Sequence, residues 1–232
     1  MRPYDPERPL VSIHIPRCGG TSLRRVLQGW FGERMHIHYF QQNDAPPPRL
    51  QLGAGDCIHG HFNRKRGIGV PDYYPEAAQC IAFLRDPLEA AVSNYFFWKR
   101  KARPRQIALG RLVPGGPGDY RDIEDFFRDR PLSVIPDFLP EPIGGGGSID
   151  SMLSRRFLYV GFLEDYQRSL AALAALLGKP PAAVGRENLA ERDDERLSEA
   201  SRERFRERNA EAYAVCEAAR RIFPAGEAQR AR

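Results

Sequence analysis

No apolar run in this chain approaches the length needed to cross a bilayer, and the opening residues MRPYDPERPL hold no apolar stretch of the kind that directs secretion. The expectation is a cytoplasmic protein without a membrane span. Cysteine is scarce: Cys18, Cys57, Cys80 and Cys216 are scattered without CxxC spacing. That argues against a disulfide framework or a zinc site and fits a reducing compartment. The pattern GxxxxGK[ST] is missing, which excludes an ordinary Walker A loop. There are no internal repeats. No DNA- or RNA-binding signature is visible, and the basic stretches lack regular aromatic interleaving, so nucleic acid is not an expected partner.

What is present suits one domain. The 232 residues are 42% hydrophobic, enough for a single sizeable core over 1–232. Net charge is +5, and 31 of the 35 basic residues are arginine, a preference that base composition largely explains. Its placement is more telling. Residues 186–232 carry 11 basic and 11 acidic side chains, whereas residues 60–111 carry 10 basic against 4 acidic. A concentrated positive segment suggests an anionic ligand.

Leu10–Ile15 reads as a strand with Val11, Ile13 and Ile15 on one face, followed by a helix over Thr21–Phe31. Asp56–Phe62 and Gln79–Leu84 read as strands, and Pro87–Lys101 as a helix with proline at its first position. Residues 102–150 are irregular apart from a short helix near Tyr120–Arg130, and read as a mobile insertion. Within it, Gly144–Ser148 has the composition of a flexible linker, either a natural loop or an engineered replacement. A strand over Phe157–Phe162, an amphipathic helix over Glu164–Leu177 stopped by Gly178, and a long charged helix near Glu195–Phe223 complete the pattern. Strands alternating with helices predict an α/β fold with a largely parallel central sheet flanked by helices.

Two stretches carry chemistry. VSIHIPRCGGTSL (residues 11–23) places a basic residue, two glycines and two hydroxyls between a strand and a helix. Main-chain N–H groups at such a junction, backed by the helix dipole, cradle phosphate or sulfate. Gly19 and Gly20 permit close approach, and Thr21 and Ser22 add hydroxyls. The plainer alternative is a strand-to-helix turn with a Thr or Ser cap. IAFLRDPLEAAVSNY (residues 81–95) puts Arg85 at a strand end and Ser93 about two turns into the next helix. The two could converge on a second anion; the alternative is a surface Arg–Asp pair beside an incidental serine.

In this order the two stretches resemble the phosphosulfate-binding loop (usually Pro-Lys-Thr-Gly-Gly-Thr-Ser) and the 3′-phosphate motif of sulfotransferases. YVGFLEDYQRSLAALAALLG and RERNAEAYAVCEAARRIF are similar to closing elements of the branch that includes heparan sulfate sulfotransferases and bacterial relatives. The resemblance spans the chain except roughly residues 102–150. It implies the P-loop NTPase-like sulfotransferase fold and the cofactor 3′-phosphoadenosine 5′-phosphosulfate (PAPS), with adenosine 3′,5′-bisphosphate (PAP) as product. It implies that Arg17, Cys18, Gly19, Gly20, Thr21 and Ser22 hold the 5′-phosphosulfate, and that Arg85 and Ser93 hold the 3′-phosphate. Two positions depart from the family: Arg17 stands for its lysine and Cys18 for its threonine. Arginine keeps the charge but is not a geometric equivalent. Beside a cation, Cys18 is either a thiol of lowered pKa or a small half-buried side chain.

CIHGHF (residues 57–62) offers a candidate base, the alternative being hydrogen-bonded structural histidines. On a strand His59 and His61 share one face, and Gly60 leaves the other side open. A histidine titrates near neutrality and can take the proton of an attacking hydroxyl. His-Gly-His also resembles the catalytic stretch of the 2-O-sulfotransferase branch, which implies His61 as base, His59 as helper or substrate contact and Arg17 as stabiliser of the leaving phosphate. Glu33, Asp44 and Asp56 are alternative bases; a metal pair lacks a third ligand nearby. Arg64, Lys65 and Arg66 are candidate contacts to a hydroxyl-bearing acceptor, such as an acidic glycan, as are the basic residues of 99–105. The expected activity is sulfuryl transfer. The alternatives are a divergent small-molecule kinase and a non-catalytic polyanion- or nucleotide-binding protein.

Overall fold

The computed structural model describes residues 2–42, 44–130, 132–144, 147–183 and 195–224. Of the glycine run, Gly145 and Gly146 lie outside these residues. Five strands form one sheet: β1 (Leu10–Ile13), β2 (Met35–His38), β3 (Cys57–Gly60), β4 (Cys80–Leu84) and β5 (Phe157–Phe162). Their order is β2-β3-β1-β4-β5, and every neighbouring pair is parallel. The helices are α1 (Gly20–Phe31), α2 (Val70–Tyr73), α3 (Pro87–Phe97), α4 (Arg103–Ala108), α5 (Ile123–Asp129), α6 (Ile149–Arg156), α7 (Tyr166–Leu177), α8 (Glu199–Arg208) and α9 (Ala210–Ile222). No helix among the described residues is long and apolar enough to cross a membrane.

The expected α/β architecture with a parallel sheet is what the chain adopts. β1, β3, β4 and β5 are buried at every residue, as parallel strands covered on both faces must be. β2 is the strand that the sequence did not reveal. It is a four-residue edge, MHIH, whose middle residues are partly exposed, so it carries no apolar run. The chain leaves β1 toward β2 on one side and β4 toward β5 on the other. The adjacent carboxyl ends of β1 and β4 are therefore a topological switch point, where open α/β sheets bind ligands.

Residues 102–150 are more ordered than expected. Tyr120, Ile123, Phe126 and Phe127 build a second core with Leu88, Val92, Tyr95, Phe96, Leu197 and Phe205. The aromatic side chains of a loop-rich segment supply enough apolar area to pack it. The helix starting at Pro87 also runs beyond Phe97, through a π-helical turn over Trp98–Ala102 and into α4. The long final helix is instead two, α8 and α9, broken at Asn209. That side chain donates to the Phe205 carbonyl and accepts from the Ser133 N–H, which holds the break.

Candidate functional site

β1 ends at Ile13, and the loop 14–19 carries the chain to α1. Arg17 has φ +66°, and Gly19, the residue capping α1, has φ +84°. Left-handed residues next to right-handed ones turn successive N–H groups toward one side, which is how main-chain anion nests are built. No side chain caps α1, and its first turn has no acidic residue. The N–H groups of Gly20, Thr21 and Ser22 therefore have no intrahelical acceptor, whereas Leu23 N–H reaches the Gly19 carbonyl. The Cys18 N–H is used within the turn, on the Ile15 carbonyl.

The second motif meets the first directly. Arg17 Nε donates to Ser93 Oγ at 3.0 Å, and the Arg17 guanidinium lies 5.1 Å from the Phe97 ring centre. Ser93 reaches this point because Asp86 accepts from Glu89 N–H and caps α3, with Pro87 at its first position. Arg85, at the end of β4, is half-buried and lies 3.4 Å from Glu89 Oε2. Burial lowers the Arg17 pKa, and the nearby positive charge of Arg85 lowers it further. The two guanidiniums are close enough to repel, and Glu89 pairs with Arg85.

Cys18 is corrected. It is buried at 1% exposure, its thiol points to the Pro16 carbonyl, and burial drives its pKa upward. A thiol of lowered pKa would need solvent or a dominant cation, and desolvation outweighs the arginines here. Cys18 therefore serves the loop as a small packed side chain.

The histidines form a cluster at the carboxyl ends of β1 and β3. His59 is fully buried, with Nδ1 2.9 Å from Ser12 Oγ. Burial takes its pKa to about 3, and its ring stacks against that of His14. His61 lies one residue past β3 and is half-buried. Burial, then Arg66 and His38, lower its pKa to about 4 rather than leaving it near neutrality. It is thus a neutral imidazole at pH 7, with a lone pair available. Gly60 does not leave an open side: a Cβ there would lie 1.9 Å from the His38 carbonyl oxygen, so glycine is required for β2 to approach.

A third imidazole was missed. His14 stacks on His59 at 5.2 Å and meets His61 at 4.6 Å, with its Nδ1 2.8 Å from the Tyr39 hydroxyl. The signal was present: Ser12 and His14 alternate on the face of β1 opposite the apolar set Val11, Ile13 and Ile15. Among the described residues no group of three or more His, Cys, Asp or Glu side chains is arranged to hold a metal ion.

Two of the alternative bases lie away from this histidine cluster. Glu33 and Asp56 precede β2 and β3, at the opposite end of the sheet, and Asp44 pairs with Arg111 at 3.4 Å. The candidate acceptor contacts Arg64, Lys65 and Arg66 also look different in space. Arg64 donates to the carbonyls of Leu139 and Pro136, and Lys65 pairs with Asp137 at 2.8 Å. Arg66 is exposed and stacks over Phe40. The positive excess of 60–111 is largely answered by acids from other segments, since Lys99 meets Glu195 and Arg103 meets Asp119. A run of charge in sequence is not a field in space.

No protein-family model matches the chain, and no curated protein matches it. Among solved structures it is similar to mouse sulfotransferase SULT7A1 complexed with PAP, at 16% identity and a TM-score of 0.45. That match covers 75% of this chain, which spans 59% of the mouse chain's length.

Proposed function

We propose that this chain is a sulfotransferase that moves a sulfuryl group from PAPS to a hydroxyl of a carbohydrate-containing acceptor, with His61 as general base. The observation that carries the reading is the Arg17–Ser93 hydrogen bond. It joins a main-chain anion nest to a second anion site, and the ligand implied by the motifs has two separated anionic groups. The residues fit that ligand: Gly20, Thr21 and Ser22 offer uncommitted N–H donors, and Arg85 offers a partly buried guanidinium. Ser93 Oγ accepts from Arg17 and keeps its O–H to donate to a phosphate oxygen.

PAPS supplies an activated sulfuryl group on a phosphate that departs as the hydroxyl attacks. The nest and Arg17 offset the charge that gathers on that phosphate, and the nest N–H groups are held by the fold, so little reorganisation of them is needed. His61 takes the hydroxyl proton. Its wall of His14, Tyr39 and Phe138 rings limits water around it. Arg66 and the ring beneath it offer a contact for the acceptor. The reading also places the protein in the cytoplasm, where its four free thiols stay reduced.

A second reading, nucleotide binding without turnover, is favoured by one observation. The Arg17 guanidinium is already engaged by Ser93 and Phe97 rather than pointing freely into the nest. A thermal-shift panel with turnover measurement separates the readings. PAP at 100 times its Kd should raise stability by about 2.7 kcal/mol, and PAPS should be consumed with a sugar acceptor. A PAP shift without turnover on any acceptor gives the second reading. A preference for ATP with Mg²⁺ gives the kinase and sinks both.

A further inference from the structure

We propose that His14 is an additional hydrogen-bond donor of the anion nest, held in its Nε2–H tautomer by Tyr39 and offering that N–H to a phosphoryl or sulfuryl oxygen at the first turn of α1. The proposal rests on the sulfotransferase reading and adds a side chain to it. Three observations support it. The Tyr39 hydroxyl lies 2.8 Å from His14 Nδ1. Burial pushes the Tyr39 phenol up to about 12, so it keeps a proton that it can donate to Nδ1 at this distance. Burial, with His61, His59, Arg17 and Arg24 around the ring, holds His14 down at about 2. The ring is therefore neutral, with its single proton on Nε2.

The edge bearing that proton packs against Gly20, the first residue of α1. A Cβ on Gly20 would lie 1.9 Å from His14 Cδ2 and 2.4 Å from Nε2. This edge rests against the residue that opens α1, beside the N–H groups of Gly20, Thr21 and Ser22. Gly20 is thus explained by the ring it admits. The ring is also fixed in attitude: it stacks on His59 at 22° between planes, and His59 is pinned by Ser12. A neutral imidazole at a helix N-terminus donates without adding a cation to a crevice that already holds two arginines. No proton is transferred by His14, and its role is separate from that of His61.

The test uses nitrogen-15 imidazole NMR with titrations of PAP and of inorganic sulfate. In the wild type His14 should show a protonated Nε2 and an unprotonated Nδ1, and Tyr39→Phe should mix the tautomers. Both anions should shift the His14 Nε2 signal. His14→Asn, which can keep a contact to Tyr39 but has no Nε2–H, should weaken PAP by about 10-fold, the loss of one charge-assisted hydrogen bond. Tyr39→Phe should weaken it less, by about 3-fold, and serves if His14→Asn does not fold. A Nδ1–H tautomer in the free wild type, or unchanged PAP affinity in the variants, overturns the proposal. If the wild type does not bind PAP, the sulfotransferase reading falls, and sulfate decides alone. A His14 Nε2 shift with sulfate still supports the donor, and no shift overturns it.

Discussion

Two nests of buried rings in this molecule handle their polar atoms in opposite ways. Between α3, α5 and α8, the hydroxyl of Tyr95 and the ammonium of Lys99 both end on Glu195, which also accepts the Ile123 N–H. Tyr120 donates to Asp129 at 2.6 Å and accepts from Arg130. Carboxylates neutralise that region from within, as a structural core requires. At the carboxyl ends of β1 and β3 the partners are hydroxyls instead: Tyr39 for His14, Ser12 for His59, and Ser93 for Arg17. Positive or protonatable groups are gathered there, with Glu89 pairing Arg85 among them. The first arrangement is complete by itself, and the second suits an anion that arrives from outside.

The largest expected effect tests the second nest. His61→Ala should lower turnover by about 10²–10⁴-fold, the usual range for a general base, while calorimetry shows PAP affinity within about 2-fold of wild type. Unchanged turnover would remove His61 from the role. Next, Arg85→Ala should weaken PAP by roughly 10–100-fold, as expected for a lost charged hydrogen bond, with little change in melting temperature. A large melting change with unchanged PAP affinity would make Arg85 structural. The first nest should answer in reverse. Glu195→Ala removes the carboxylate shared by Tyr95, Lys99 and the Ile123 N–H and should cost about 1–3 kcal/mol of stability in denaturant unfolding, leaving PAP affinity nearly intact.

The smallest effect is a pH slope. His14, His59 and His61 sit at about 2, about 3 and about 4 when folded, against 6.5 for a free histidine. Above pH 6.5 all are neutral in both states and nothing is lost. As pH falls through 6.5 toward 4 the unfolded chain takes up protons that the folded chain refuses, so stability declines. Each histidine contributes at most about 1.4 kcal/mol per pH unit, and the half-buried His61 less. Melting temperatures between pH 7.5 and 5 should fall steadily, and less steeply in His61→Asn. A flat profile would mean that the imidazoles are hydrated and the cluster loose.

Much of the sheet was legible because parallel strands leave apolar runs between turn signals, as LVSI, CIAFL and FLYVGF do. The helix cap at Asp86-Pro87 and the stop at Gly178 were legible for the same local reason. What escaped the sequence depended on distant partners. The edge strand β2 is defined by its pairing with β3, not by its own residues. His14 gains its meaning from Tyr39 and His59, which lie 25 and 45 positions on. The basic stretch 60–111 looked like a binding face because its acidic partners Asp119, Asp137 and Glu195 come from other segments. Of the candidate site, the loop and Arg85 could be read from motif order. The link between Arg17 and Ser93, and the depressed pKa of His61, required the fold.

A crystal structure of the complex with PAP tests the central claim most directly. One nucleotide should span the crevice, its 5′-phosphate on the N–H groups of Gly20, Thr21 and Ser22 and its 3′-phosphate on Arg85 and Ser93. PAP held at only one of these places, or bound elsewhere on the sheet, would contradict the account.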